Sequence, residues 1–165
     1  MDERTKRFFF EIHSGNPREG PGSRDATERA FFVIPDLPDD PTILDIGCGP
    51  GTQTMDLLDI SKGQIFALDL YPQYLRALIE RARRSNVRNR ILPILGDMNA
   101  LPFQPNTFDL LWSEGAVYIM GFENGLNAWK PFLKPGGCIA VTDIAWLEDD
   151  PPEEAAAFRA AWSAL

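Results

Sequence analysis

The chain has 165 residues, with 16 Lys plus Arg against 24 Asp plus Glu, so its formal net charge is −8. Apolar residues make up 44% and charged residues 24%, which argues against disorder; one domain is the default at this size, burying roughly 70% of the unfolded chain's surface. The acidic balance repels phosphates on average, so no nucleic-acid partner is expected and a small-molecule or protein partner is favoured. The stretch from Arg76 to Arg90 is the one local basic exception. No apolar run approaches the roughly 20 residues of a membrane helix, so no membrane partner is expected. Met1–Arg7 alternates in charge ahead of only three Phe residues, too little for a signal peptide. Cys48 and Cys138 make neither a disulfide framework nor a metal cluster, which fits a reduced, cytoplasmic setting with no metal.

In chain order, Arg4–Ile12 reads as a short helix, followed by a Gly- and Pro-rich loop from Ser14 to Ser23. Ser23 is placed to N-cap a second helix running to about Val33 and closed by Pro35. Residues 1–41 thus stand apart from the rest. From Thr42 on, short apolar strands alternate with amphipathic helices. The expected strands are Ile43–Ile46, Gln64–Asp69, Ile91–Leu95, Phe108–Trp112 and Cys138–Asp143. Between the second and third, Leu75, Leu78, Ile79 and Ala82 recur at helical spacing, with Arg76, Glu80, Arg83 and Arg84 on the other side and Pro72 in the first turn. A last helix is expected over Glu153–Ser163. Nearly continuous apolar strands separated by helices mean an α/β fold, a parallel sheet with helices on both faces.

The most informative stretch is Ile43-Leu44-Asp45-Ile46-Gly47-Cys48-Gly49-Pro50-Gly51-Thr52, a strand, a glycine turn and a helix start. Glycine lets the backbone turn sharply and a ligand approach closely, and the helix start offers N–H groups and a positive dipole end. The plain alternative is a tight strand-to-helix turn. Asp69 closes the next strand 20 residues after Gly49, where a carboxylate can accept from ribose hydroxyls. A nicotinamide-dinucleotide domain would place an acid there too, but Thr52 stands where that fingerprint wants Gly or Ala. Gly96-Asp97-Met98 then ends the third strand, and Leu133-Lys134-Pro135-Gly136-Gly137 precedes the fifth.

With these motifs in this order, residues 42–146 resemble a class I S-adenosylmethionine-dependent methyltransferase, of the small-molecule branch that includes quinone-biosynthesis methyltransferases. The resemblance implies a Rossmann-like open sheet in the order 3-2-1-4-5, S-adenosyl-L-methionine as cofactor and a small-molecule methyl acceptor. It implies that Asp45 and the Gly47, Cys48, Gly49 and Gly51 loop hold the methionine end, that Asp69 takes the ribose hydroxyls and that Leu70 lies against the adenine. Asp97 would accept from the adenine amino group, the Met98 N–H would reach a ring nitrogen, and Ser113 would belong to the same site. Residues 1–41 would then form a helical lid ahead of a domain at 42–165, with hinges in Gly15–Gly22; the alternative is an N-terminal arm packed on the outside of a helix or in a dimer interface.

For the chemistry itself, the end of the fourth strand, Trp112-Ser113-Glu114-Gly115-Ala116, falls where open α/β sheets bind ligands, and it lacks the Pro-Pro-Tyr element of nucleobase amino methyltransferases. Glu114 reads as a base or site-lining group, or as a solvated or helix-capping carboxylate. His13, the single histidine, is a candidate base if the lid closes, and otherwise a surface residue at a helix end. Tyr118 reads as pocket lining or core, Cys48 and Cys138 as packing thiols, and Trp146 and Trp162 as core or surface. The family's last two strands are not found before Leu165, which would leave the fifth strand an edge for the last helix or another subunit, including a homodimer partner, to cover. The competing expectations are a cofactor-binding module without turnover and a nicotinamide-dependent oxidoreductase.

Overall fold

The computed structural model describes Arg4, Phe8 and residues 16–146 and 149–162. Five strands form one parallel sheet in the order β3-β2-β1-β4-β5. They are β1 (Thr42–Ile46), β2 (Gln64–Asp69), β3 (Ile91–Leu95), β4 (Phe108–Ser113) and β5 (Leu133–Val141). The helices are α1 (Arg24–Phe32), α2 (Thr52–Ile60), α3 (Pro72–Arg84), α4 (Phe122–Trp129) and α5 (Glu153–Trp162). The expected helix over Arg4–Ile12 lies outside the described residues except for Arg4 and Phe8. No helix among the described residues is long and apolar enough to cross a membrane.

Strand alternation divides the core into two. Ile43, Ile65, Ala67, Leu110 and Trp112 face α1, α2 and α3, where they meet Phe31, Leu57, Leu58, Leu75, Leu78 and Ala82. Their neighbours Leu44, Ile46, Leu68, Phe108 and Leu111 face the other side and pack with Val117 and Trp129. Because the period along a strand is two, each strand contributes to both clusters and needs apolar residues at nearly every position.

The N-terminus of α1 follows the expectation: the Ser23 hydroxyl accepts from the Ala26 N–H at 3.2 Å. In α3 the apolar stripe buries Leu75, Leu78 and Ala82, with Pro72 in the first turn. The basic stretch has separate duties. Arg90 donates to the carbonyls of Leu58, Ser61 and Gly63, closing the C-terminal end of α2, and Arg88 donates to the Ile91 carbonyl. Arg76, Arg83 and Arg84 are exposed on α3.

The fifth strand departs from the expected Cys138–Asp143. It runs Leu133–Val141, and its pairing with β4 is irregular, Leu133 opposite Phe108 but Cys138 opposite Leu110. Lys134-Pro135-Gly136-Gly137 is therefore the extra length of a bulge within the strand, with Gly136 at φ 84°. Asp109 pins the region, accepting from Lys134 Nζ and from the Thr42 N–H, each at 2.8 Å. Among the described residues β5 pairs only with β4 and forms one edge of the sheet.

Candidate functional site

The glycine loop follows β1, at the point where the chain order reverses between β1 and β4, which in open α/β sheets is where ligands bind. Its glycines differ in what they face. A Cβ at Gly47 would lie 2.6 Å from Ala116 Cβ, and one at Gly51 2.3 Å from Leu78 Cδ1, and both have φ in the left-handed region. These two glycines serve packing and turning. Gly49 is different: among the described residues a Cβ there would meet only Glu19 Cγ, at 3.9 Å. The N–H groups of Gly47 and Cys48 donate to the Leu68 carbonyl, and that of Gly51 to the Cys48 carbonyl. The loop's own amides are thus used inside the chain. Gly51 caps α2 without a side-chain hydrogen bond, so the first turn of that helix is where amide donors remain for an anionic group.

Asp69, 7% exposed at the end of β2, accepts from the Gly49 N–H and the Tyr71 N–H, each at 2.9 Å. It anchors the loop as well as facing the site, and burial pushes its carboxyl above the usual range. Leu70 is exposed at the rim. Asp97, also exposed, accepts from the Asn99 N–H and amide, which hold its carboxyl below its ordinary value. The Met98 carbonyl accepts from the Trp129 indole at 2.9 Å. The Met98 Cε methyl approaches Gly47, 3.5 Å from where a Cβ would stand.

Asp45 is fully buried on the α2 side of β1. Its Oδ2 accepts from the Thr54 hydroxyl at 2.6 Å, while Oδ1 is buried with no hydrogen-bond partner among the described residues. Burial pushes the carboxyl up to about 7, and the nearby charges of Glu114 and Asp69 push the same way. An orphaned buried oxygen in a negative field is a receptor for a cation or a hydrogen-bond donor.

The N-terminal segment crosses this site. The Thr52 hydroxyl donates to the Pro17 carbonyl, and the Arg18 guanidinium donates to Asp56 Oδ2 at 2.8 Å and to Glu114 Oε2 at 2.5 Å. Gly20 lies against Gly115, where a Cβ on Gly20 would stand 3.3 Å from the Gly115 Cα. Glu114 Oε1 accepts from the Thr27 hydroxyl at 2.7 Å and the Trp112 indole at 2.9 Å. Glu114 is therefore 9% exposed and braced by three donors. The reading of it as a solvated or helix-capping carboxylate is corrected: its partners come from residues 18, 27 and 112.

Ser113 donates to the Ile46 carbonyl at 2.9 Å, tying the ends of β4 and β1. Cys48 is buried in the core, and its thiol is pushed well above the ordinary value, chiefly by burial. Cys138 is partly buried against the same cluster. Tyr118 is 37% exposed and so is not a core residue, and Trp146 is exposed as well. His13 and the loop residues before Asn16 lie outside the described residues, as does the side chain of Trp162. Arg18 and Glu19 carry no signal in the sequence, since a charge in a Gly/Pro loop ordinarily reads as solvated, and Thr27 on α1 and Asp56 on α2 gain their meaning only from the distant partners Glu114 and Arg18.

Residues 43–137 match the model of a methyltransferase-domain family. The chain belongs to that family. Erythromycin 3''-O-methyltransferase of Saccharopolyspora erythraea is 36% identical over 119 residues, 67% of this chain and 39% of that protein. A malonyl-[acyl-carrier protein] O-methyltransferase of Enterobacter lignolyticus is 33% identical over 124 residues, 74% of this chain and 44% of that protein. The chain thus spans about two-fifths of the length of these curated relatives. The methyltransferase-domain fold is also seen in a crystal structure of an S-adenosylmethionine-dependent methyltransferase from Geobacter sulfurreducens in complex with S-adenosyl-L-homocysteine. It superposes with a TM-score of 0.77 at 21% identity, covering 92% of this chain and 60% of that one.

Proposed function

We propose that this domain binds S-adenosyl-L-methionine and transfers its methyl group to a small-molecule acceptor. The observation that carries the reading is Asp45: a fully buried carboxylate with one oxygen orphaned, in the field of two further acids, at the root of the glycine loop. Those residues fit the cofactor, whose ammonium and sulfonium are cations and whose ribose and adenine present hydroxyl and amino donors. Asp45 would hold the methionine end with the first turn of α2, Asp69 the ribose, Leu70 the adenine face, and Asp97 with Met98 the adenine edge. When bound, the sulfonium supplies an electrophilic methyl whose leaving group is a neutral thioether.

The chain's own contribution is to orient and to exclude water. Residues 16–22, with α1 behind them, act as a lid latched over the glycine loop by Arg18. Positioning two reactants in line is worth roughly 7–11 kcal/mol of barrier, and a closed site keeps water from competing. Glu114 serves that closure in the arrangement described, because its oxygens are held by Arg18, Thr27 and Trp112. Both curated relatives named above carry transfer to oxygen in their names, so oxygen acceptors are the first to test. The test is transfer of labelled methyl from the cofactor to a panel of hydroxyl- and carboxyl-bearing small molecules. Label in an acceptor supports the reading; cofactor binding without transfer to any of the panel favours a binding module instead.

A further inference from the structure

Glu19 lies between two fixed neighbours. The carbonyl of Pro17 is held by Thr52, Arg18 by Asp56 and Glu114, and Gly20 by contact with Gly115. Its backbone therefore has little freedom, and its side chain lies against Gly49, which has no other side chain against it among the described residues. Glu19 Cγ is 3.9 Å from the place of a Gly49 Cβ, and Glu19 Oε1 is buried. On the amide side of the same glycine stands Asp69, whose Oδ2 takes the Gly49 N–H. Tyr74, buried on α3, senses both acids: after burial itself, the charges of Glu19 and Asp69 raise the pKa of its phenol. Two carboxylates thus flank Gly49, Glu19 against its Cα and Asp69 on its N–H.

We infer that Glu19 is a cofactor-binding residue carried by the N-terminal segment, accepting a ribose hydroxyl of the bound nucleoside from the side opposite Asp69. This rests on the S-adenosylmethionine reading. Chemically the two acids are matched to a vicinal diol: each is acceptor-only when ionised, and a ribose presents two adjacent donors. Asp69 already spends one lone pair of each oxygen on backbone amides, so a second acid completes the acceptor set. The placement also ties affinity to closure. Asp69 belongs to the sheet, whereas Glu19 reaches Gly49 only while residues 17–20 are seated.

The experiment compares wild type with Glu19→Gln, a near-isosteric change, by calorimetry against S-adenosylhomocysteine and its 2′-deoxy and 3′-deoxy analogues. The expected result is a loss of at least about tenfold for the parent ligand, the size of one charge-assisted hydrogen bond, and little or no loss for the analogue lacking the hydroxyl that Glu19 accepts. A unchanged urea midpoint shows that the fold is intact. Wild-type affinity in the variant, or an equal loss for all three ligands, would overturn the inference, the latter pointing to a structural role. If wild type binds none of the three while remaining folded, the cofactor reading itself fails and this one with it.

Discussion

The Arg18 guanidinium donates to Glu114 Oε2 at 2.5 Å, joining two residues 96 positions apart, and the side chains are only 13% and 6% exposed. It also holds Asp56, so one guanidinium bridges two acids, and Arg24 adds a second cation 3.7 Å from Asp56 Oδ1. Removing one partner of a buried pair leaves the other charge uncompensated, at about 3–5 kcal/mol. Arg18→Ala should therefore lower stability by an amount of that order and weaken S-adenosylhomocysteine binding. Adding Glu114→Gln should recover part of the stability, because the orphaned charge goes with it. Urea unfolding of the two single variants and the double variant checks this; strictly additive losses would show that the pair is not coupled.

Asp45 makes the unliganded protein sensitive to pH. Its carboxyl sits at about 7 against an ordinary 3.8, so between those values the native state holds a proton that the unfolded chain has released. The stability it contributes is fullest below the ordinary value and falls as pH rises, by up to about 1.4 kcal/mol per unit, levelling above the native value. Asp56 and Asp69 are also raised by burial and slope the same way. Asp45→Asn should flatten much of the decline in unfolding free energy between about pH 4 and about pH 7. Cofactor affinity should move oppositely, strengthening with pH over this window, because a bound cation displaces that proton.

Asp69 carries two loads. From the sequence, Asp69→Ala would be expected to weaken cofactor binding and leave the free protein's thermal unfolding nearly unchanged. The bonds to the Gly49 and Tyr71 amides change the second half of that expectation. Loss of the carboxylate leaves two amides without their acceptor, so the free protein should lose about 1–3 kcal/mol as well as cofactor affinity. Calorimetric unfolding without ligand separates the two effects.

Much of this fold is legible as a chain of apolar runs. Ile43–Ile46, Gln64–Asp69 and Ile91–Leu95 carry their strand signal locally, and α3 carries its stripe in four residues. The start of β5 is not legible, because Pro135-Gly136-Gly137 looks like a turn and only pairing with β4 reveals a bulge. The site divides in the same way. Asp45, Gly49 and Asp69 stand out by their spacing along one β-α-β unit, β1 to β2. Arg18 and Thr27 are not, since what gives them meaning is a carboxylate 96 and 87 residues away.

Arg90 offers a test that leaves the site alone. Its guanidinium takes three carbonyls at the C-terminal end of α2, where the helix leaves acceptors unsatisfied and favours a cation. Arg90→Ala should cost about 2–3 kcal/mol of stability, visible in urea unfolding, while affinity for S-adenosylhomocysteine in the folded protein stays at the wild-type value.

The central claim is that the loop from Asp45 to Gly51, with Asp69, receives S-adenosylmethionine rather than a nicotinamide dinucleotide. Isothermal titration of the chain with S-adenosylhomocysteine and, separately, with NAD tests it most directly. Expected are one saturable site for S-adenosylhomocysteine, weakened by Asp45→Asn and by Asp69→Ala, and no heat of binding from NAD. Saturable binding of NAD, or a folded protein that takes neither ligand, would contradict it.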